Sequence, residues 1–486
     1  MLELCDGCSA KTPQPSKNDP ASGSLFAVAE RFAAFCSSAT SLFRTATHNG
    51  VAHARVYLHG LMQARHRVKN MERMEEAVAG ADYEGLQHFM TDSPWQAGPV
   101  MDHVALDVSG LLGGPQCLAY VDETGISKKG DKSVGVARQY NGRPGKVDNC
   151  QVAVFAALGT AERVALVGAR LYLPQQWCED PARCKQAGIP VEDRVFKSKS
   201  TLALELITHL RGIGVQFAAT ALDAGYGKEP GLLRALDDTG EVFVVEVHSS
   251  QRVWRDDPWP AAHLPGTPRR ATGKLHPVGT ALSVRDWAEA QPPAAWRTVA
   301  LRQGTQGEIR VEFIHQRVYL WDGNESSAKL WHLVARRTLD AQGHAGKTSW
   351  TLSNAPADTQ PPQIVAMACA RYFIERGFQD AKTSLGLADY QTRGCLAWHH
   401  HMALVMLAMQ FQLHERMLHA QAHPLLSTAD IVELLRHQLP AAAVTPESVM
   451  AQLEHRHRKR QNSIDSACRN QRPPDDFDER PEELPK

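Results

Sequence analysis

"LAYVDETGISKKG", residues 118–130, is the stretch on which the fold turns. An apolar run of strand length leads into two acids, Asp122 and Glu123. A turn follows, and then Lys128 and Lys129. A carboxylate beside apolar neighbours is costly to ionise unless something pairs with it. Asp122 is therefore either a turn signal or one corner of an active site. Successive strand side chains point to opposite faces, so only one of the two acids can serve such a site.

Outward from this stretch the period stays strand-like. "SVGVARQY", "CQVAVFAAL" and "ERVALVGARLYL" follow, separated by Asn-Gly and Gly-Thr turns. "STLALELITHLRGIG" then reads as an amphipathic helix with a Ser or Thr cap and a Gly stop. "VQFAATALDAGYG" is another strand, and it too ends in an acid, Asp223. "PGLLRALDDTG" reads as a helix and "EVFVVEVHSS" as a strand. Residues 110–250 thus predict one mixed sheet covered by helices, an α/β core. Residues 251–360 are loop-like and then strand-rich, a β-rich insertion. The helical period returns over 361–420. Before the core, 25–100 predicts an all-α domain with a basic face. Residues 1–24 read as a disordered leader, and 421–486 as one or two helices with a charged, Pro-rich, disordered tail.

The helix after the insertion carries a third acid, Glu375. At about 100° per residue, Arg371, Glu375 and Lys382 fall on one polar stripe. Ile374, Phe378, Ala381 and Leu385 form the adjacent apolar stripe, which should pack on the sheet. Taken alone, the polar stripe is also what a solvated helix surface shows. Acids from three separate elements converging on one sheet edge could hold two Mg²⁺ ions about 4 Å apart, the arrangement that serves phosphoryl transfer.

Composition narrows the classes. The 486 residues are 43% hydrophobic and 22% charged, with 53 basic and 53 acidic side chains. A protein basic all over is excluded, but local basic clusters are not. Between Arg44 and Arg73 the basic residues Arg55, Arg65, Arg67 and Lys69 are opposed by one acid, Glu72. "HRHRKR" at 455–460 is a second basic run, of the kind that binds phosphate. The richest apolar run, "MALVMLAM" at 402–409, falls far short of the roughly 18 residues that span a bilayer. No membrane is expected, and a cytoplasmic protein is the default. Ten scattered cysteines do not form a disulfide framework, and the lone Cys5/Cys8 pair cannot complete a tetrahedral zinc site.

Three segments are more specific than any of this: "DETGISKKGDKSVGVARQYNGRPGKVDNCQVAVFAAL" (122–158), "LDAGYG" (222–227) and "RYFIERGFQDAKTSLGLADYQTRGCLAWHHHMALVMLA" (371–408). They resemble DDE transposases of bacterial insertion sequences, nearest in type to the insertion-sequence 701 group. "YLHGLMQARHRVKNMERMEE" and "YEGLQHFMTDSPW" are similar to that group's N-terminal region. The resemblance implies an RNase H-like core in which Asp122, Asp223 and Glu375 are the catalytic, metal-binding triad. It implies two Mg²⁺ ions, with Mn²⁺ able to substitute. It also implies an endonuclease that cuts at transposon ends carrying terminal inverted repeats and transfers the 3′-hydroxyl into target DNA. As a transposase of a bacterial element, the chain would be nucleoid-associated and would pair two ends as a homodimer or larger multimer. Arg371 and Lys382 would contact phosphate, with Lys128, Lys129, Arg65, Arg67 and Lys69 as further DNA-binding candidates. The related Tyr-x2-Arg-x3-Glu-x6-Lys signature has Ala368 at the Tyr position, so that residue's role beside phosphate falls to another or is absent.

Two other readings stay open. One is a transposase-derived DNA-binding protein without catalytic activity. The other is a glycosidase using paired carboxylates, for which the basic helices have no role. "HHH" at 399–401 cannot ligate one ion, because consecutive helical side chains diverge by about 100°, and reads as a packing or DNA-facing feature. Trp321, Trp331 and Trp350 in the insertion read individually as core.

Overall fold

The computed structural model describes residues 24–64, 68–142, 145–259, 277–304, 307–321 and 325–471. Arg65, Arg67, the leader up to Gly23 and the Cys5/Cys8 pair lie outside the described residues, as does the tail beyond 471.

One long strand organises the rest. β1 (Leu118–Ser127) is buried through its first half because it lies inside a sheet. The other strands are β2 (Ala137–Asn141), β3 (Lys146–Gly159), β4 (Val164–Leu171), β5 (Ala219–Leu222), β6 (Phe243–Val247), β7 (Arg252–Val253), β8 (Leu282–Ser283), β9 (Arg297–Gly304), β10 (Gly307–Leu320), β11 (Lys329–Leu339) and β12 (Ser349–Ser353). Ten of them form one mixed sheet in the order β2-β3-β1-β5-β6-β12-β11-β10-β9, with β4 also paired to β3. β1 runs antiparallel to β3 and parallel to β5, and β5 runs parallel to β6.

One feature differs from the strand pattern read in sequence. β1 does not stop at Asp122. It continues to Ser127 because β3 pairs with it along its whole length, Ser127 opposite Cys150. What stops at Asp122 is the parallel pairing with β5, whose last partners are Val121 and Leu222. The strands of 297–353, read in sequence as β-rich, join the core sheet. β12 pairs with β6, so β9 to β12 extend the core sheet past its edge. Within them Trp321 and Trp331 are buried, and Trp331 packs edge-on against Phe243 at 5.0 Å.

Helices cover both faces. Lys199–Gly212, capped by the Ser198 hydroxyl on the Thr201 amide, packs on β1, β3 and β4. Tyr372–Ser384 packs on the same strands from the other face through Ile374, Phe378 and Ala381, and Phe378 meets Phe155 edge-on at 5.4 Å. Cys395–Leu418 is apolar nearly all round and is accordingly buried. Helices Val51–Gln63, Tyr83–Thr91 and Ala97–Leu112 pack against it, and their apolar residues join the same continuous core as the sheet. The three histidines serve this packing. His400 stacks on Trp95 at 3.7 Å, with its ring nitrogens near the Met90 and Trp95 carbonyls. His401 meets the Tyr57 hydroxyl at 2.8 Å, and His399 Nδ1 lies 2.9 Å from the Cys395 carbonyl.

Close backbone approach fixes one glycine. A Cβ on Gly227 would fall 2.0 Å from the Glu246 carbonyl oxygen, so β6 and the turn after β5 touch only because this residue has no side chain. Gly231, on the following helix, faces open space. Gly227→Ala should therefore destabilise the protein by about 1–3 kcal/mol or more, whereas Gly231→Ala should be neutral or stabilising by up to about 1 kcal/mol. Thermal unfolding of the two variants checks this, and equal melting temperatures would contradict the close contact.

Candidate active site

The register of three parallel strands places a row of acids. Val121 pairs with Leu222, and Leu222 pairs with Val245. The next residue on each strand is Asp122, Asp223 and Glu246. Residues in register on adjacent parallel strands point to the same face, with about 4.8 Å between the strands. Three carboxylates therefore stand side by side where the strands diverge.

Each is held differently. Asp122 is part-buried; its Oδ1 accepts the Glu123 amide at 2.7 Å. Burial first, and then the neighbouring Asp223 charge, push its carboxyl up to about 7, against the pull of Arg371. Asp223 caps the short Ala224–Gly227 helix, its Oδ1 accepting the Gly225 amide at 2.9 Å and the Tyr226 amide at 3.2 Å. Glu246 binds Arg336, and its other oxygen lies 3.9 Å from Arg371 Nε. Glu123, on the opposite face of β1, is paired with Lys199 at 2.5 Å and takes no part in the row.

Glu375 arrives from the Tyr372–Ser384 helix with its side chain 58% exposed. Arg371, at the start of that helix, bridges the set: Nη1 is 3.4 Å from Asp122 Oδ2 and Nη2 is 3.3 Å from Glu375 Oε1. Lys382, farther along the same stripe, donates to the Thr124 hydroxyl at 2.5 Å, two residues beyond Asp122 on the same face of β1. The polar stripe of the helix thus runs along β1, and Asp122, Asp223, Glu375, Arg371 and Lys382 lie in one place.

These residues fit divalent cations chemically. The donors are hard carboxylate oxygens. The Asp122–Asp223 pair is desolvated and like-charged, and one positive group, the Arg371 guanidinium, already compensates it. In this arrangement, among the described residues, no three ligand-type side chains converge closely enough to hold an ion, because Arg371 stands between Asp122 and Glu375.

The family model described as DDE superfamily endonuclease matches residues 41–308. The chain belongs to that family. The match takes in Asp122 and Asp223 of this DDE endonuclease and ends before Glu375. The chain is also 24% identical over 336 residues to a protein of Microchaete diplosiphon named "Probable transposase for insertion sequence element IS701", covering 69% of this chain and 75% of that one.

The remaining basic candidates of the endonuclease divide by burial. Lys129 is exposed on the turn after β1. Lys128 is turned inward, 3.2 Å from the Tyr390 carbonyl and 3.5 Å over the Tyr390 ring, and burial pushes its ammonium down to about 8. Lys69 is 1% exposed and donates to the Leu61 carbonyl, so as placed it offers no charge to DNA. Burial, then the Arg436 charge, push it down to about 7 despite Asp389. In the second basic run, Arg456 and Lys459 pair with Glu76 and Glu72 at 2.6 and 2.7 Å, while Arg458 and Arg460 stay exposed. Among the described residues no helix is long and apolar enough to cross a membrane.

Glu246 was not singled out by sequence reasoning. Its signal was present: "FVVEV" repeats the apolar-run-then-acid pattern of "LAYVDE" and "ATALDA".

A lysine whose folded pKa lies below its unfolded value costs stability, either as a buried charge or by shedding its proton on folding. That cost is full below pH 7, falls as pH rises above it, and vanishes near 10. Lys69→Met should raise the melting temperature at pH 7, with the gain shrinking toward pH 10. It should leave DNA affinity unchanged. A loss of DNA affinity at unchanged stability would show that Lys69 reaches phosphate.

Proposed function

We propose that this endonuclease is a DNA transposase. It cuts a phosphodiester at the ends of its element, frees a 3′-hydroxyl, and joins that hydroxyl to target DNA. The observation that carries this is the in-register Asp122–Asp223 pair at the diverging ends of β1 and β5, with Glu375 tied to Asp122 through Arg371. The printed name of the Microchaete diplosiphon relative supports the same reading. So does the strand order β4-β3-β1-β5-β6, which we read as RNase H-like, with β9 to β12 as its β-rich extension.

Asp122, Asp223 and Glu375 would hold two Mg²⁺ ions, or Mn²⁺ in their place. Bound there, such ions activate the attacking oxygen and neutralise the leaving one. The chain's own groups do the rest. Asp223 has its carboxylate fixed through Oδ1 by the Gly225 and Tyr226 amides. Arg371 and Lys382 present positive charge along one face of β1, where they can orient the phosphate on either side of the reacting bond. Lys129 and the exposed Arg458 and Arg460 of the C-terminal helix, Pro446–Gln471, extend the basic surface outward, and the N-terminal helices contribute to gripping the ends. Two ends must be brought together, so the working form is a dimer or larger assembly in the cytoplasm, at the nucleoid.

The test uses a duplex bearing the inverted repeats that flank the gene. Asp122→Asn, Asp223→Asn and Glu375→Gln should each lower Mg²⁺-dependent cleavage by at least about a hundredfold, as loss of one ligand of a two-metal site demands, while binding of the duplex persists. Undiminished cleavage in one variant would remove that residue from the centre. Binding without cleavage by the wild type would favour a DNA-binding protein with no chemistry. Ligand linkage gives a second readout: Mg²⁺ or Mn²⁺ should raise the wild-type melting temperature and leave that of Asp122→Asn unmoved.

A further inference from the structure

A cavity of about 250 Å³ opens beside Glu375, between the start of its helix and strands β9 to β11. Arg302, Arg336 and Arg371 line it, with Tyr372, Glu246 and Glu375. Three guanidinium groups line it beside two carboxylates, and two of the three, Arg336 and Arg371, are held in ion pairs. The geometry points to a binding site for a DNA phosphate neighbouring the one that is cut. This rests on the transposase reading above.

Arg302 carries the inference. The sheet is irregular where it sits. Arg302 pairs with Ile309 and Ala300 pairs with Arg310, so Leu301 is an extra residue on β9, and both Leu301 and Arg302 line the cavity. In a regular strand two successive residues would point to opposite faces. The bulge turns Arg302 inward, a device that re-aims side chains next to active sites. Once there, Arg302 makes no ion pair with any described residue. Its guanidinium lies 4.8 Å from the Phe373 ring centre and 5.4 Å from that of Tyr372.

The other two arginines are anchored by Glu246, one through Arg336 and the other through Arg371. Glu246 keeps their guanidinium groups at the cavity wall, and Arg371 is answered further by Asp122 and Glu375, which leaves Arg302 as the lining arginine without an ion pair among the described residues. Arg336 Nε has no hydrogen-bond partner among the described residues. Tyr372 is 52% exposed at the rim, where its hydroxyl can reach a phosphate oxygen. Planar guanidinium groups suit phosphate geometry. The volume is below the roughly 300–1,000 Å³ of sites that enclose a drug-sized ligand. It suits a phosphate with part of its sugar and not an inserted base. A strand lying over Asp122 and Glu375 would run straight into it.

The experiment measures affinity of the full chain for the flanking-repeat duplex at several salt concentrations, without divalent ions. Arg302→Gln should lower the slope of log affinity against log salt by about 1, the loss of one phosphate contact. Arg302→Lys, which keeps the charge and guards against misfolding, should retain the slope. In the wild type, one neutral methylphosphonate next to the cleaved bond should weaken binding, and the same substitution should have no effect on Arg302→Gln. A wild-type slope in Arg302→Gln, or a wild type indifferent to every methylphosphonate near the cut, would overturn the phosphate site and leave the transposase reading standing. No binding of the duplex by the wild type would overturn both.

Discussion

The parallel pairing of β1 with β5 forces two carboxylates together. Asp122 and Asp223 follow the last paired residues of their strands, and register leaves them facing the same side. Burial first, and then the Asp223 charge, push the Asp122 carboxyl up to about 7. The structure compensates with one guanidinium. Arg371 can reach the pair because Ile374, Phe378 and Ala381 press its helix onto β1, β3 and β4. The same contact brings Glu375 and Lys382 to the site. An arrangement that draws a guanidinium to its carboxylates is well prepared for a harder cation.

Much of this was legible in the chain. Apolar runs ending in Asp122 and Asp223 marked two strands of one sheet, and the angle between Ile374, Phe378 and Ala381 marked the face of the third element. What escaped reading was set by pairing over long distances. Nothing local in 118–130 says that β3 is long enough to carry β1 on to Ser127. Nothing local in 349–353 says that β12 will take the open edge of β6. Glu246 gains its meaning only through that register, since in sequence it is one more acid in a strand.

The placing of charges depends on the same long-range contacts. Lys69 and Lys128 stand in basic or turn-like sequence, and both are turned inward by tertiary contacts with Leu61 and Tyr390. Arg456 and Lys459 are largely spent on Glu76 and Glu72, which fastens the C-terminal helix to the N-terminal region. A run of basic residues records a capacity for phosphate. Whether it is free depends on which acids the fold brings to it. Arg302 shows the opposite case, an arginine unremarkable in sequence that sits at a bulge and lines the cavity beside Glu375.

The central claim is that Asp122, Asp223 and Glu375 form one metal centre whose place Arg371 holds. The most direct measurement is anomalous diffraction from crystals of the protein soaked in Mn²⁺. The account predicts an anomalous peak between Asp122 and Asp223, with the Arg371 guanidinium moved away from Asp122. Mn²⁺ bound elsewhere, with the Arg371–Asp122 contact intact, would contradict it.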